Sequence, residues 1–266
     1  MKKQRIINGK ERFDVYYSEI FGERWENLKK ALFAENKQTA FSYSLKKTYW
    51  MDSGSYIAAM NLPLEGAKTI ADMCAAPGGK SLVIATHMDK DAVLVSNERS
   101  RERKARLQRV LQEHLSDDVF SRIRITGYDA GRWCQYEKEA YDRILLDVPC
   151  SSERHVMADQ KYLDLWSPAR IRNLTATQWS ILSSAILVLK KGGYLLYSTC
   201  ELTDKENDEI IDRAVKKYDK VSVVSIDEKK YSAICSGEKT KNGVIVLPDV
   251  QDGAGPLYYS LLYKTF

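Results

Sequence analysis

The sequence is poor in the residues that build metal sites and disulfide frameworks. Its 266 residues hold three histidines, His87, His114 and His155, too scattered for a metal-ligand pattern. Five cysteines (Cys74, Cys134, Cys150, Cys200, Cys235) make an odd set with no C-x-x-C pair. A disulfide scaffold or a zinc ribbon is therefore disfavoured, and reduced thiols in a cytosol-like compartment are expected. Six prolines and fourteen glycines are too few for a disordered chain. No apolar run reaches the ~18 residues of a membrane helix, so no membrane partner is expected. The opening MKKQRIINGKERF lacks the apolar stretch of a secretory signal, and its early acids, Glu11 and Asp14, disfavour a transit peptide. A cytoplasmic location is the expectation, with a mitochondrial one as the alternative.

What is present is unevenly spread. The net charge of +5 comes from 41 basic and 36 acidic residues, and residues 1–50 carry 11 of the former and 6 of the latter. The excess is thus confined to this segment, which also carries Tyr16, Tyr17, Trp25, Phe41, Tyr43, Tyr49 and Trp50. Cations for phosphates and rings for unstacked bases are what a nucleic-acid surface needs. A solvated helical cap whose aromatics are core has the same composition, and the two alternatives stay open here.

From residue 68 onward, short β-branched runs alternate with longer amphipathic stretches. Strands are expected at 68–73, 91–97, 122–129, 141–148 and from Gly192 to Cys200, with VSVVSI and PLYYSLLYK closing the set. Helices are expected from about Ser81, through 98–115, from Pro168 to about Lys190, and over 204–218; residues 149–167 are expected to be a long loop. Alternation of this kind predicts an α/β fold, a mostly parallel sheet with helices on both faces and one late antiparallel strand. In such sheets ligands bind beyond the carboxyl ends of the strands.

The unusual residues fall at those ends. Cys74-Ala75-Ala76-Pro77-Gly78-Gly79-Lys80 follows the first strand, and its small residues let a ligand approach the backbone at a helix N-terminus. It matches neither the P-loop nor the G-x-G-x-x-G pattern. Glu98 ends the second strand, where an acid commonly accepts hydrogen bonds from a ribose. Arg103 lies one turn on, and Asp129, ending the third strand, is a candidate for an adenine amino group. Asp147-Val148-Pro149-Cys150 follows the fourth strand and Ser198-Thr199-Cys200 ends the fifth. Adjacent parallel strands would carry both thiols toward one crevice, whereas Cys134 and Cys235 have no such context and are expected to be structural.

These motifs, DMCAAPGGKS, LLDVPCSS, TQWSILSSAILVLKKGGYLLYSTC and KEND, resemble the Sun/Fmu (NOL/NOP/Sun) family of S-adenosylmethionine-dependent RNA cytosine-5 methyltransferases. The resemblance runs from about Tyr49 to the last residue. DVPCSSERH and GPLYYSLLYK look most similar to the mitochondrial-type rRNA and tRNA members. It implies a Rossmann-like class I methyltransferase fold with a seven-stranded sheet over 51–266, after a small basic helical segment, 1–50, that contacts RNA. It implies S-adenosyl-L-methionine as cofactor, lined by Cys74, Ala75, Ala76, Pro77, Gly78, Gly79 and Lys80. Glu98 would hold the ribose, with Arg103 as the arginine of the same stretch, and Asp129 the adenine. Asp147 would lie between cofactor and base. Cys200 would be the nucleophile, and Cys150 the cysteine needed for product release. The implied partner is rRNA or tRNA, delivered by the chain itself, by a protein partner or by the RNA fold, to a monomer.

Chemistry supports the division of labour. Cytosine C5 is a weak nucleophile until a thiolate adds at C6, and the proton on C5 must leave before the thiolate can be expelled. Two rival expectations remain: a catalytically silent RNA-binding or ribosome-assembly factor on the same fold, and a DNA cytosine-5 methyltransferase, which would use Cys150 as nucleophile.

Overall fold

Neighbouring residues on the central strands enter different cores, as strand geometry demands when both faces of a sheet are covered. Ile70, Leu145 and Leu196 pack into one layer, while Ala71, Ile144, Leu146, Leu195 and Tyr197 pack into the other. The computed structural model describes residues 8–266; Lys2, Lys3 and Arg5, part of the basic excess, lie outside them.

The chain begins with α1 (Gly9–Phe21), capped by the Asn8 side chain, which accepts the Glu11 N–H at 2.9 Å, and α2 (Trp25–Phe33). An antiparallel hairpin, β1 (Gln38–Phe41) and β2 (Tyr49–Asp52), leads into α3 (Ser53–Met60). The alternating portion follows: β3 (Thr69–Asp72), α4 (Gly79–His87), β4 (Val93–Asn97), α5 (Arg101–His114), α6 (Asp117–Ser121) and β5 (Ile123–Thr126). Next come β6 (Tyr141–Asp147), α7 (Glu153–Ala158), α8 (Gln160–Asp164), α9 (Pro168–Val188) and β7 (Leu189–Thr199). The chain closes with α10 (Asp208–Lys217), β8 (Val221–Val224), β9 (Glu238–Lys239), β10 (Val244–Val246) and β11 (Leu257–Lys264).

The sheet runs β5-β4-β3-β6-β7-β11, parallel through β7 and antiparallel at β11. The expected strands are all present, and two more join them. The outer edge of β11 is shared: β8 pairs with Leu261–Lys264, and β10 covers Leu257–Tyr259 and carries β9 on its far side. The Asn242-Gly243 turn between β9 and β10 is an ordinary hairpin signal, but its flanking strands are too short to announce themselves by periodicity.

Two expectations change. Residues 149–167 are not an irregular loop but hold α7 and α8. These helices are short and gain their stability from packing Val156, Met157, Leu163 and Trp166 against Phe13, Tyr17, Trp25 and Leu28 of α1 and α2. The N-terminal segment is helical only to Phe33, and the β1–β2 hairpin follows. Among the described residues no helix is long and apolar enough to cross a membrane.

Candidate active site

The carboxyl ends of β3, β4, β6 and β7 share one edge of the sheet, and the turn after β3 shapes its floor. Gly78 has φ +123°, a region L side chains rarely adopt, and a Cβ there would press on Leu107 and Val110 of α5 at 3.1–3.2 Å. A Cβ on Gly79 would come within 2.9 Å of the Tyr49 ring, so the hairpin rests directly on the start of α4. Both glycines are therefore required by close approach as well as by any ligand. The turn is tied down by Ala75 N–H to the Asn97 carbonyl at 2.8 Å and by Arg103, whose guanidinium donates to the Ala76 carbonyl at 2.9 Å.

Two cavities meet at this turn. One, of about 450 Å³, is lined by Cys74, Glu98, Arg103, Tyr128, Asp129 and Pro149, among others. Glu98 is nearly buried there. One carboxylate oxygen accepts the Ser100 N–H at 2.8 Å and the other meets Arg103 at 3.1 Å. Asp129 accepts the Gly131 N–H at 3.1 Å and pairs with Arg99 at 3.3 Å. The cavity thus has one acid at the end of β4 and another past β5. No cluster of metal-ligating side chains occurs among the described residues.

The second cavity, of about 220 Å³, is lined by Ala75, Ala76, Pro77, Gly79, Lys80 and Asp147 on one side. Gln38, Tyr49, Trp50, Met51 and Asp52 of the hairpin form the other. Lys80 donates to Asp147 at 2.7 Å and to Ser55 at 3.1 Å. Burial opposes its charge, yet Asp147, then Asp52 and the Cys200 sulfur, outweigh that penalty and hold the ammonium above its ordinary pKa. The other Asp147 oxygen accepts the Ser198 hydroxyl at 2.8 Å, a contact dictated by the β6–β7 register, which pairs Asp147 with Ser198.

That register also aligns the thiols. Cys150 and Cys200 are half-buried, free, and 2.7 Å apart sulfur to sulfur, and the Cys200 N–H donates to the Cys150 sulfur at 3.2 Å. The pair sits one step beyond Asp147 and Pro149 rather than in the lining of either cavity. Contact with the Cys200 sulfur, then burial, pushes the Cys150 thiol well above the ordinary range. Burial, reinforced by Asp72, Asp147 and Glu98, also pushes Cys74 far up, and this cysteine lines both cavities. Cys235 is buried in the interior, and Cys134 is partly buried against the core.

Several residues escaped the sequence reading. Asp72, fully buried below the turn, accepts the Ser81 hydroxyl at 2.6 Å and is pushed up to about 7 by burial. Gln178 and Glu206, within motifs already noted but without a role, bracket Cys150. Gln178 Nε2 donates to the Pro149 carbonyl at 2.9 Å, and Glu206 accepts the Ser151 N–H at 3.1 Å and its hydroxyl. Ser55 and the hairpin residues were missed because only tertiary packing brings 38–55 to this edge.

The strand order, with its antiparallel β11 and a glycine-rich turn facing a nucleoside-sized cavity, is that of the Rossmann-like methyltransferases. Residues 59–263 match the model of the 16S rRNA methyltransferase RsmB/F family, and the chain belongs to that family. The 5-cytosine rRNA methyltransferase NSUN4 of Mus musculus is 30% identical over 84% of this chain and 61% of its own length. A mouse mitochondrial tRNA (cytosine(34)-C(5))-methyltransferase is 28% identical over 87% of this chain and 67% of its own. The chain thus spans about six tenths of the length of NSUN4. Among solved structures, a methyltransferase homolog from Pyrococcus horikoshii superposes with a TM-score of 0.75 at 19% identity, covering 96% of this chain and 95% of its own. NSun6 from the same organism, solved with SFG, gives 0.68 at 22% identity, over 88% and 56%. Both show the shared fold.

Proposed function

We propose that this chain is an S-adenosyl-L-methionine-dependent methyltransferase acting on C5 of a cytidine in rRNA or tRNA, through a covalent bond between Cys200 and cytosine C6. The observation that carries the reading is the meeting of two free thiols 2.7 Å apart next to the Lys80–Asp147 pair. The larger cavity would hold the cofactor's nucleoside, with Glu98 toward the ribose and Asp129 toward the adenine, and the Cys74–Lys80 turn would line its remainder. When bound, the cofactor supplies an electrophilic methyl group that ends on C5.

The chain's own groups do the rest. Lys80 is the cation that would face a thiolate at 200, and the Lys80–Asp147 pair offers a donor and an acceptor to the polar edge of a pyrimidine. The Cys200 thiolate adds to C6 and its electron pair makes C5 nucleophilic. Cys150 is held as a thiol chiefly by its contact with the Cys200 sulfur. Once that sulfur is bonded to carbon the contact is lost, and Cys150, after giving up its own proton to solvent, takes the C5 proton as a thiolate while the C6–sulfur bond breaks and its electron pair returns to Cys200. The target base must leave its stack to enter the crevice, which favours a loop or a flipped nucleotide. Exposed Tyr43 and Trp50 on the hairpin are the rings we assign to the neighbouring nucleotides. A catalytic thiol also requires a reducing compartment, cytosol or mitochondrial matrix.

Labelled methyl transfer to RNA from cells lacking the gene tests the activity, and denaturing gels test the roles. Cys150→Ala should trap an RNA–protein adduct and Cys200→Ala should form none. Transfer to no RNA would leave the silent assembly factor. Transfer to duplex DNA that depends on Cys150 would make it a DNA enzyme.

A further inference from the structure

The peptide units on both sides of Cys150 are pinned by two buried side chains from outside its own segment. Gln178, on α9, donates to the Pro149 carbonyl at 2.9 Å and to Glu206 at 2.5 Å. Glu206, just before α10, accepts the N–H and the hydroxyl of Ser151. The clamp is anchored in turn to β7, where the Tyr197 hydroxyl donates to the Glu206 carbonyl at 2.7 Å. Cys200 ends a strand and its N–H points to Cys150; its neighbours are held by a different residue, Asn207, which accepts the Thr199 hydroxyl at 2.6 Å and donates to the Glu201 carbonyl at 3.1 Å.

The arrangement is costly for a purely structural device. Glu206 is fully buried, and no lysine or arginine forms an ion pair with it among the described residues. Two further acids, Glu153 and Glu201, lie buried beside it. A buried carboxyl group without a cation is a poor stabiliser compared with apolar residues of equal volume, and this one holds Ser151 on one side of Cys150 and the Gln178 amide that holds Pro149 on the other. Hydrogen bonds of this kind fix a side chain's approach to within fractions of an ångström, which is what proton removal from C5 demands.

We propose that Glu206 and Gln178 are positioning residues for Cys150, holding it where it can release the methylated product, so that disabling either stalls the enzyme as its covalent RNA adduct. This deepens the reading above and rests on it. Misplacement of about 1 Å can cost ~10²-fold in rate, and that loss should fall on release while attack by Cys200 continues.

Glu206→Gln keeps the shape and replaces one of the two acceptor oxygens with an amide donor; Gln178→Met keeps the volume and removes both donors. Each should lower turnover and accumulate adduct on denaturing gels, as Cys150→Ala does, with kcat and the KM for RNA falling together so that kcat/KM is retained. Glu206→Asp should restore part of the turnover. In a Cys150→Ala background Gln178→Met should add nothing to the adduct level, which a general folding defect would not predict. Slow turnover without adduct in folded Glu206→Gln and Gln178→Met, beside a Cys150→Ala that does trap, would overturn the clamp alone. A Cys150→Ala that traps nothing would overturn the covalent reading and the clamp with it.

Discussion

Residues 9–33 and residues 38–52 have much the same composition, cations interleaved with aromatic rings, and the fold uses them in opposite ways. In α1 and α2 the rings other than the terminal Phe33 turn inward: Tyr17 is 0% and Trp25 2% exposed, Phe13, Tyr17 and Trp25 pack on one another, and Phe13 and Tyr17 also pack on Trp166. In the hairpin Phe41 joins the core, but Tyr43 and Trp50 stand 60% and 61% exposed, with Trp50 at the lip of the cavity that holds Lys80 and Asp147. The first region braces the segment after Cys150, and the second borders the crevice. Aromatic content therefore marks neither role; the partner surface does.

The widest gap between the two regions should appear in Trp25→Ala against Trp50→Ala. The first empties a filled core position and should cost about 3–5 kcal/mol in urea unfolding. The second should leave stability within about 0.5 kcal/mol. It should instead raise the KM for RNA by about 5- to 100-fold, the worth of one stacked base, with cofactor affinity unchanged. A destabilised Trp50→Ala with normal RNA binding would break the comparison.

A smaller change sharpens the role of the inward rings. The Tyr17 hydroxyl donates at 2.6 Å to Glu153, which is wholly buried three residues beyond Cys150. Tyr17→Phe keeps the packing and leaves that acceptor unpaired, so thermal unfolding should report a loss of about 1–3 kcal/mol.

Two buried acids, Asp72 at the end of β3 and Glu206 before α10, set a pH dependence. Burial raises Asp72 and Glu206 to about 7, above their ordinary values of 3.8 and 4.5. The folded state then holds protons the unfolded chain has released. The stability this contributes is complete below about pH 4 and is lost as pH rises toward 7. Each group adds a slope of at most about 1.4 kcal/mol per pH unit, and Asp72→Asn or Glu206→Gln should flatten the stability profile between pH 4 and 7. A profile identical to wild type would show that these acids are not proton-bound in the folded protein.

The smallest effects should come from the hairpin's cations. Lys46 pairs with Asp117 at 2.9 Å and Lys47 with Glu113 at 2.8 Å, both at the surface. Alanine at either position should change stability by less than about 0.5 kcal/mol in equilibrium unfolding.

Much of the parallel sheet was legible because β3, β4, β6 and β7 are short apolar runs ended by unusual residues, and a run buried on both faces has few other readings. The same local logic singled out Cys74–Lys80, Asp147, Cys150 and Cys200, which the fold brings together at one edge of the sheet. Residues 149–167 were not legible: α7 and α8 have ordinary propensities and exist because α1 and α2 cover them. Gln178 and Glu206 were visible as letters in motifs, but a hydrogen bond across 28 residues has no local signature.

By itself the sequence determined the order of the main alternating strands and helices and which residues stand at their carboxyl ends, since periodicity and turn chemistry act over a few residues. The β6–β7 register, the inward or outward turn of each aromatic ring, and the buried acids around Cys150 were decided only by tertiary structure. Each of these depends on which distant surface a side chain meets, and burial free energy belongs to the pair of surfaces, not to either stretch of chain.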